Sequence, residues 1–180
     1  MFVVGNMAKA NLYKKTYDNT IPLSNAAFQK IIRFYLFECP AESRSFRGKS
    51  LAAYGWKNRW PLENLRKRMI EASVGNLDRL FFSGLPDKLP AKLKEAEGIC
   101  PCNEYCVFLS NEEKSAMQSL FAAIRNSFAH GSFAVRRYKD DGGHYQRMYF
   151  LCNYDGYLKA ELVLNEKTLL AWIPIVINGP

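Results

Sequence analysis

A change of hydrophobic period at Gly131 constrains the fold of this chain more than any other feature. Before it, apolar residues recur at three- and four-residue steps, which is the spacing of one helical face. They are Met117, Leu120, Phe121, Ile124 and Phe128. Ser110 and Glu113 have the form of a capping box, and Gly131 is placed to end a helix in the left-handed conformation. The pattern predicts a helix over about 111–130.

After Gly131 the sequence becomes rich in aromatic and β-branched residues, which favour strands. Three such runs follow one another: "FAVRRYK", "YQRMYFLCN" and "YLKAELVL". They are separated by Asp-Asp-Gly-Gly and by Tyr-Asp-Gly, which are typical of tight turns. We therefore expect a small antiparallel β-meander over about 133–164, followed by a C-terminal helix over about 166–177 that is perturbed or ended near Pro174.

The remaining sequence reads as helices and one long loop. "SNAAFQKIIRFYLFE" and "WPLENLRKRMIEASVG" have helical spacing of their apolar residues, which predicts a basic helical segment over 1–75. Prolines and glycine interrupt the pattern over about 84–109, so most of that segment is expected to be loop, with a short helix around "PAKLKEAE". The expected architecture is a single domain over 1–180, mainly α, in which an antiparallel helical bundle carries the small meander.

The positive charge of the chain is concentrated near its start. Residues 1–70 hold 13 Lys and Arg against 4 Asp and Glu, whereas residues 71–180 hold 12 against 13. Basic residues mixed with aromatic ones suit RNA phosphates and stacked bases, although a solvated basic helix face explains them as well. The basic candidates for RNA contact are Lys57, Arg59, Arg66, Lys67 and Arg68, with Arg136 and Arg137 added from the meander.

The cysteines and the lack of long apolar segments indicate the cellular compartment to expect for this protein. No run of about twenty apolar residues spans a bilayer, and no secretory signal precedes the first helix, so a cytoplasmic protein without membrane contact is expected. An odd number of cysteines favours reduced thiols over a disulfide framework. Cys100, Cys102 and Cys106 raise the alternative of zinc, but their spacing is poor for a site that needs four ligands. We expect no metal and no cofactor.

The stretch "AAIRNSFAHGSF", residues 122–133, places unusual polar residues at the end of the predicted motif helix. Asn126 and His130 share the face opposite the apolar stripe, whereas Arg125 lies on the flank, roughly 140° from His130 in an ideal helix. Either the helix distorts before Gly131, or a second copy brings its own residues alongside in a symmetric dimer. The alternative is that both basic residues only interact with the helix C-terminus.

The string "RNSFAHGSF", 125–133, resembles the Arg-x4-6-His signature of HEPN domains (higher eukaryotes and prokaryotes nucleotide-binding). The polar residue after the arginine, the late helix and the segment "NYDGYLKAELVLNEKTLLAWI" are similar to one bacterial branch of that family. The resemblance implies a HEPN-like helical bundle, a homodimer with both motifs in one cleft, and a metal-independent endoribonuclease acting on tRNA or mRNA. It also implies a toxin–antitoxin or antiphage role, with an antitoxin or regulatory protein as a further partner.

The same resemblance implies roles for three residues. His130 would be the general base and acid, Arg125 would stabilise the phosphorane, and Asn126 would orient the phosphate or the histidine. Ser132 is a further candidate for RNA contact, and it stands where one toxin branch has a tyrosine that is modified to silence it, so that control mechanism is not expected here. Some HEPN proteins have lost activity, which keeps a catalytically silent RNA-binding or protein-interaction module as the alternative function.

Overall fold

The fold is organised around a five-stranded mixed sheet. The computed structural model describes residues 24–41, 49–75, 77, 81–97, 103–110, 114–139 and 142–180. The strands of the sheet are β1 (Phe81–Gly84), β2 (Tyr105–Leu109), β3 (Phe133–Lys139), β4 (Tyr145–Asp155) and β5 (Tyr157–Asn165). The spatial order is β1-β2-β5-β4-β3, so β1 and β3 form the two edges. β1 and β2 are parallel, and the other neighbours are antiparallel.

Helices cover both faces of this sheet. The described helices are α1 (Ala26–Arg33), α2 (Arg59–Glu71), α3 (Leu89–Glu97), α4 (Ala116–Ala129) and α5 (Glu166–Asn178). A π-helical turn, Phe34–Glu38, continues α1, and a short 3₁₀ turn, Ala52–Tyr54, precedes α2. Helix α3 connects the parallel strands and packs on one face, where Leu89 and Leu93 meet Val107 and Val163. The other helices share the main core on the opposite face.

The expected fold class, a mainly α bundle with a small meander, is wrong. The meander strands are present, but β2 pairs with β5 and extends them into a larger sheet that begins at β1. β2 reads "YCVFL" and is almost wholly buried because it has helices on both sides. Such a strand has no alternation of apolar and polar residues, and its pairing with β1 and β5 joins segments distant in sequence. The segment 84–109, expected to be mostly loop, therefore contains β2 as well as α3.

The other expected elements can be compared one by one. Helix α5 runs Glu166–Asn178 and contains Pro174, close to the predicted 166–177. Helix α4 ends where predicted but begins at Ala116, with a capping box formed by Ser115 and Gln118. The predicted box at Ser110 depends on Glu113, which lies outside the described residues. Within the segment 1–75, which was expected to be helical, α1 and α2 are present, while residues 1–23 and 42–48 also lie outside the described residues.

Helix α4 is held firmly where the predicted motif begins. The Phe128 ring contacts those of Phe133 and Tyr149 with centroids 5.0 and 6.4 Å away, so the helix end is fixed against β3 and β4. Past the helix, the Ser132 backbone N–H donates to the Ser127 carbonyl at 2.8 Å, and the Ser132 carbonyl accepts from the Cys152 N–H at 2.9 Å. The motif turn is thus tied directly to β4, an interior strand of the sheet.

None of the helices in the described ranges has the length and apolar character needed to cross a membrane.

Candidate functional site

The candidate site is built on the last turn of α4, where helical geometry gives way to a left-handed glycine. His130 is the C-cap residue, and its backbone N–H still donates to the Asn126 carbonyl at 3.0 Å. Gly131 follows with φ +62°, a region that favours glycine over residues with a Cβ. The His130 side chain is exposed, and Asn126 is half-buried one turn earlier. This turn therefore presents an accessible imidazole on a rigid support.

Arg125 is directed toward another region of the protein. It is half-buried, and its charge acts on the thiol of Cys39, which follows the π-helical turn. Burial raises the pKa of Cys39 to about 12, while a backbone hydrogen bond at Ala41 and the charge of Arg125 oppose that increase. The Cys39 thiol donates to the Tyr35 carbonyl at 2.9 Å. Arg125 thus lies on the side of α4 that meets α1 and its π-helical extension.

His130 has its electrostatic neighbours at the turn between β4 and β5. Lys159 lowers the pKa of Asp155, first through a hydrogen bond of 2.6 Å and then through its charge, and His130 adds a weaker effect in the same direction. Because α4 remains α-helical through Ala129, it does not distort to bring Arg125 round to this side. Within one chain, the arginine and the histidine of the motif therefore have different surroundings.

A groove runs beside α4 on the side of Asn126. It has a volume of about 250 Å³ and lies between α4 and the ends of β2, β4 and β5. Ser119 and Ala122 of α4 line it. Asn126 and His130 follow Ala122 at four-residue steps, so they lie on the same face of the helix. Lys114 and Lys159 line it as well and make its described lining basic, and Lys159 is also paired with Asp155 at 2.6 Å. We call this feature the α4 groove; its remaining lining residues are Phe108, Leu109, Ser110, Ala123, Asn153 and Tyr157.

The predicted basic residues of α2 are largely engaged with the protein itself. Arg59 pairs with Glu63 at 3.1 Å, and Lys67 lies 3.8 Å from Glu71. The Arg66 guanidinium lies over the Phe81 ring at 4.9 Å. Lys57 is exposed just before the helix, and Trp60 is 81% exposed at its start. The acidic partners reduce the net positive charge that α2 presents to solvent.

Arg68, which we also expected to contact RNA, lies at a structural junction. Its guanidinium is 5.5 Å from the Trp56 ring centroid and donates to the Gly179 carbonyl at 3.0 Å. The indole N–H of Trp56 donates to the Val176 carbonyl at 3.0 Å. These contacts join α2 to the end of α5, so Arg68 has a role in packing.

Arg136 and Arg137 lie on opposite faces of the sheet, as successive residues of a strand do. The Arg136 guanidinium lies 5.6 Å from the Phe150 ring, on the face covered by α3. The Arg137 guanidinium lies 4.4 Å from the Tyr145 ring, on the face of the main core. The two arginines cannot serve one continuous RNA path on a single face.

No three His, Cys, Asp or Glu side chains of the described ranges are grouped so that they could hold a metal ion. Cys100 and Cys102 lie outside those ranges. Cys106 is buried in β2, and burial raises the pKa of its thiol, with the charge of Glu104 adding to the effect. A buried protonated thiol is a weak metal ligand, so Cys106 is poorly suited to complete a zinc site.

Sequence reasoning missed the residues that make the α4 groove basic. Lys114 precedes α4, and Lys159 lies on β5 beside the irregularity in the β4–β5 pairing. They come from segments some 45 residues apart, so no local spacing could have linked them. The single signal was Asn126, whose helical face was predicted to be polar.

Comparisons of the chain with protein-family models, curated proteins and solved structures found no significant match.

Proposed function

We propose that this protein is a metal-independent endoribonuclease that works as a homodimer and uses the last turn of α4. The observation that carries the proposal is the exposed His130 on the same helical face as the basic α4 groove. The resemblance of residues 125–133 to HEPN ribonucleases supports the same reaction. Since the sheet architecture differs from a helical bundle, that support comes from the motif and not from the fold.

The proposed reaction begins with an RNA phosphate beside Asn126 and His130. The imidazole removes the proton of the 2′-hydroxyl, and the 2′-oxygen attacks the adjacent phosphorus. The bond from phosphorus to the 5′-oxygen then breaks, and an imidazolium returns a proton to that oxygen. The products are a 2′,3′-cyclic phosphate and a 5′-hydroxyl, and the step consumes no metal ion and no water.

The phosphorane needs positive charge close to its oxygens. Lys159 is one cation that the same chain could supply there, because both it and His130 act on Asp155. Arg125 of one chain would reach the reacting phosphate of the other in the proposed dimer, because its own helix directs it away from His130. The dimer thus supplies a guanidinium that a single chain does not place beside its histidine.

A second candidate function is RNA binding without cleavage, as in catalytically silent relatives of the motif family. The different surroundings of Arg125 and His130 within one chain favour it, since a site for cleavage needs both groups at one phosphate. The two functions share the RNA ligand and differ in whether the phosphodiester bond breaks. A toxin–antitoxin or antiphage role would require cleavage.

The test is to incubate the purified protein with tRNA and mRNA in excess EDTA and to map the product ends. Arg125→Ala and His130→Ala are expected to abolish cleavage while keeping the dimer. His144→Ala is the matched control, because it removes the other histidine, which precedes β4 at the end opposite His130. Cyclic-phosphate ends that persist in this control and vanish in both variants support the ribonuclease. If the dimeric parent protein binds RNA but leaves every RNA intact, the second function is supported. If the parent protein neither cleaves nor binds RNA, both proposed functions are overturned.

A further inference from the structure

A basic and aromatic surface lies where β3 and β4 approach their connecting turn. In the antiparallel register Lys139 is opposite Tyr145, and Arg137 is opposite Arg147. Residues directly opposite share one face of a sheet, so these four side chains project together. We call them, with the adjacent Lys167 at the start of α5, the hairpin platform. A depression of about 150 Å³ includes Arg137, Tyr145, Arg147 and Lys167 in its lining.

Tyr145 is the centre of this platform. It is 61% exposed, as few of the large aromatic side chains in the described residues are. The Arg137 guanidinium lies 4.4 Å from its ring centroid, and the Lys139 ammonium lies 5.5 Å from it. These cation–π contacts hold cations at the ring while most of the residue stays accessible. The ring is therefore available for stacking beside charges that suit phosphate.

The balance of charge on the platform favours a polyanion. Four of its side chains are cationic, and among the described residues the carboxylate beside them is Glu166, which is paired with Arg147 at 2.9 Å. Tyr149 also donates to Glu166, at 3.2 Å, which leaves that carboxylate well satisfied. Asp140 and Asp141 of the connecting turn lie outside the described residues. Arg137, Lys139 and Lys167 thus carry positive charge toward a ligand.

We propose that the hairpin platform binds single-stranded RNA, with one base stacked on Tyr145 and the flanking phosphates held by Arg137 and Lys139. This inference rests on the proposed function, whose substrate it narrows to RNA with unpaired segments. Bases within an A-form duplex are stacked on one another, so an exposed tyrosine ring can stack only on a base that is unpaired or splayed out. The platform therefore distinguishes single-stranded from double-stranded RNA and does not distinguish base sequences, because every base has a face that can stack on the tyrosine ring.

The platform is distant from the proposed cleavage site. Tyr145 begins β4 and Asp155, the electrostatic neighbour of His130, ends it. A strand rises about 3.3 Å per residue, so these two ends are separated by roughly 33 Å along β4. The platform therefore acts as an anchor for RNA, and changing it leaves the groups at His130 in place. Binding at the platform and cleavage at His130 can consequently be measured apart.

The experiment measures RNA affinity by fluorescence anisotropy in the His130→Ala background, where cleavage does not interfere. The probes are an unstructured single-stranded RNA and a duplex of equal length. Tyr145→Ala is expected to weaken single-strand binding by at least about fivefold and duplex binding little, whereas Tyr145→Phe keeps the stacking and the affinity. Arg137→Ala is expected to weaken the binding of single-stranded RNA more than Arg136→Ala, which removes the same charge from the opposite face of the sheet.

Each affinity measurement supports or contradicts the binding of single-stranded RNA by the hairpin platform. The proposal is overturned if Tyr145→Ala leaves the affinity for single-stranded RNA unchanged, or if it weakens the binding of both probes equally. It is also overturned if Arg136→Ala and Arg137→Ala lose equal affinity. Since Tyr145 is exposed, circular dichroism is expected to show the parent fold in its variants. If the platform variants bind normally while the parent protein still cleaves RNA, the inference fails and the proposed function stands. If Tyr145→Ala weakens binding while the parent never cleaves, the inference stands and the ribonuclease fails.

Discussion

Arg125 and His130, five residues apart on α4, act on different regions of the protein. The charge of Arg125 reaches the thiol of Cys39, whereas that of His130 reaches the carboxylate of Asp155. A regular helix separates such positions by roughly 140° around its axis. We therefore propose that the arginine and the histidine that serve one phosphate come from two chains.

The composite site is testable by mixing two inactive variants. When Arg125→Ala and His130→Ala proteins exchange subunits, each mixed dimer has one site with both intact residues. Random exchange makes half of the dimers mixed, so about a quarter of the parent cleavage rate is expected. A mixture of His130→Ala with the double variant is the control and should stay inactive. Mixed dimers that form without recovered cleavage would show that the site is not shared between chains.

A buried carboxylate joins three segments next to the sheet. Glu104 is 1% exposed and accepts hydrogen bonds from the Gly75 N–H and the Asn165 N–H at 2.7 Å each, and from the Thr168 hydroxyl at 3.0 Å. Glu104→Gln replaces one acceptor oxygen with a donor that faces other donors. The free energy of unfolding is expected to fall by about 1–3 kcal/mol, as measured by denaturant titration.

Thr168 provides the control for this network, because its hydroxyl also accepts from the Val74 N–H at 2.9 Å. Thr168→Ser keeps the hydroxyl and should have a smaller effect than Thr168→Val, which removes it. Equal stability of Glu104→Gln and the parent would show that the network contributes little.

The buried thiol of Cys39 predicts a loss of stability in alkali. Its pKa is raised by burial from 9.0 to about 12, so the folded state keeps the proton that the unfolded state releases. A raised folded pKa gives a contribution that is complete below pH 9.0 and is lost as pH rises toward 12. In that window one such thiol lowers the free energy of unfolding by up to about 1.4 kcal/mol per pH unit.

Cys39→Ser removes this titration and keeps a donor for the Tyr35 carbonyl. Denaturant titrations at increasing pH should give a shallower decline for the variant than for the parent. Cys106 and Tyr35, whose pKa values burial also raises, leave a residual slope in both proteins. Identical slopes would mean that Cys39 ionises as readily in the folded protein as in the unfolded chain.

Gly179 is expected to tolerate substitution less well than Gly156. Both have positive φ, but Gly179 combines φ +78° with ψ −173°, and a Cβ there would lie 2.8 Å from the Tyr54 carbonyl oxygen. Gly179→Ala should therefore cost about 1–3 kcal/mol of unfolding free energy. Gly156→Ala has open space around its Cβ and should cost less. Thermal unfolding of the two variants compares them, and a larger loss for Gly156→Ala would contradict the steric argument.

The elements with strong local patterns could be predicted from the sequence. The stripe from Met117 to Phe128 predicted α4, and the runs after Gly131 predicted the strands of the meander. Helix α5 followed from its apolar content, and its Pro174 was tolerated inside the helix. In each case the residues that define the element are neighbours in sequence, so their spacing carries the information.

The parallel pair of strands could not be predicted in this way. β1 has four residues, and β2 is buried on both faces, so neither shows a two-residue period. The α4 groove was missed for a related reason, because Lys114 and Lys159 meet only after the sheet forms. Ideal helical geometry separated Arg125 from His130 by roughly 140°, and α4 remains α-helical through Ala129, although the sequence alone left a distortion of the helix open.

Strand β3 is an edge of the sheet, and an edge strand can pair with a strand of another molecule. Strand β3 carries three positive charges, at Arg136, Arg137 and Lys139, so two copies that approached it side by side would repel each other. Two of the charges that oppose the addition of strands, at Arg137 and Lys139, are thus also the charges that we assign to RNA. Neutralising all three would expose seven residues of strand, Phe133–Lys139, to that pairing.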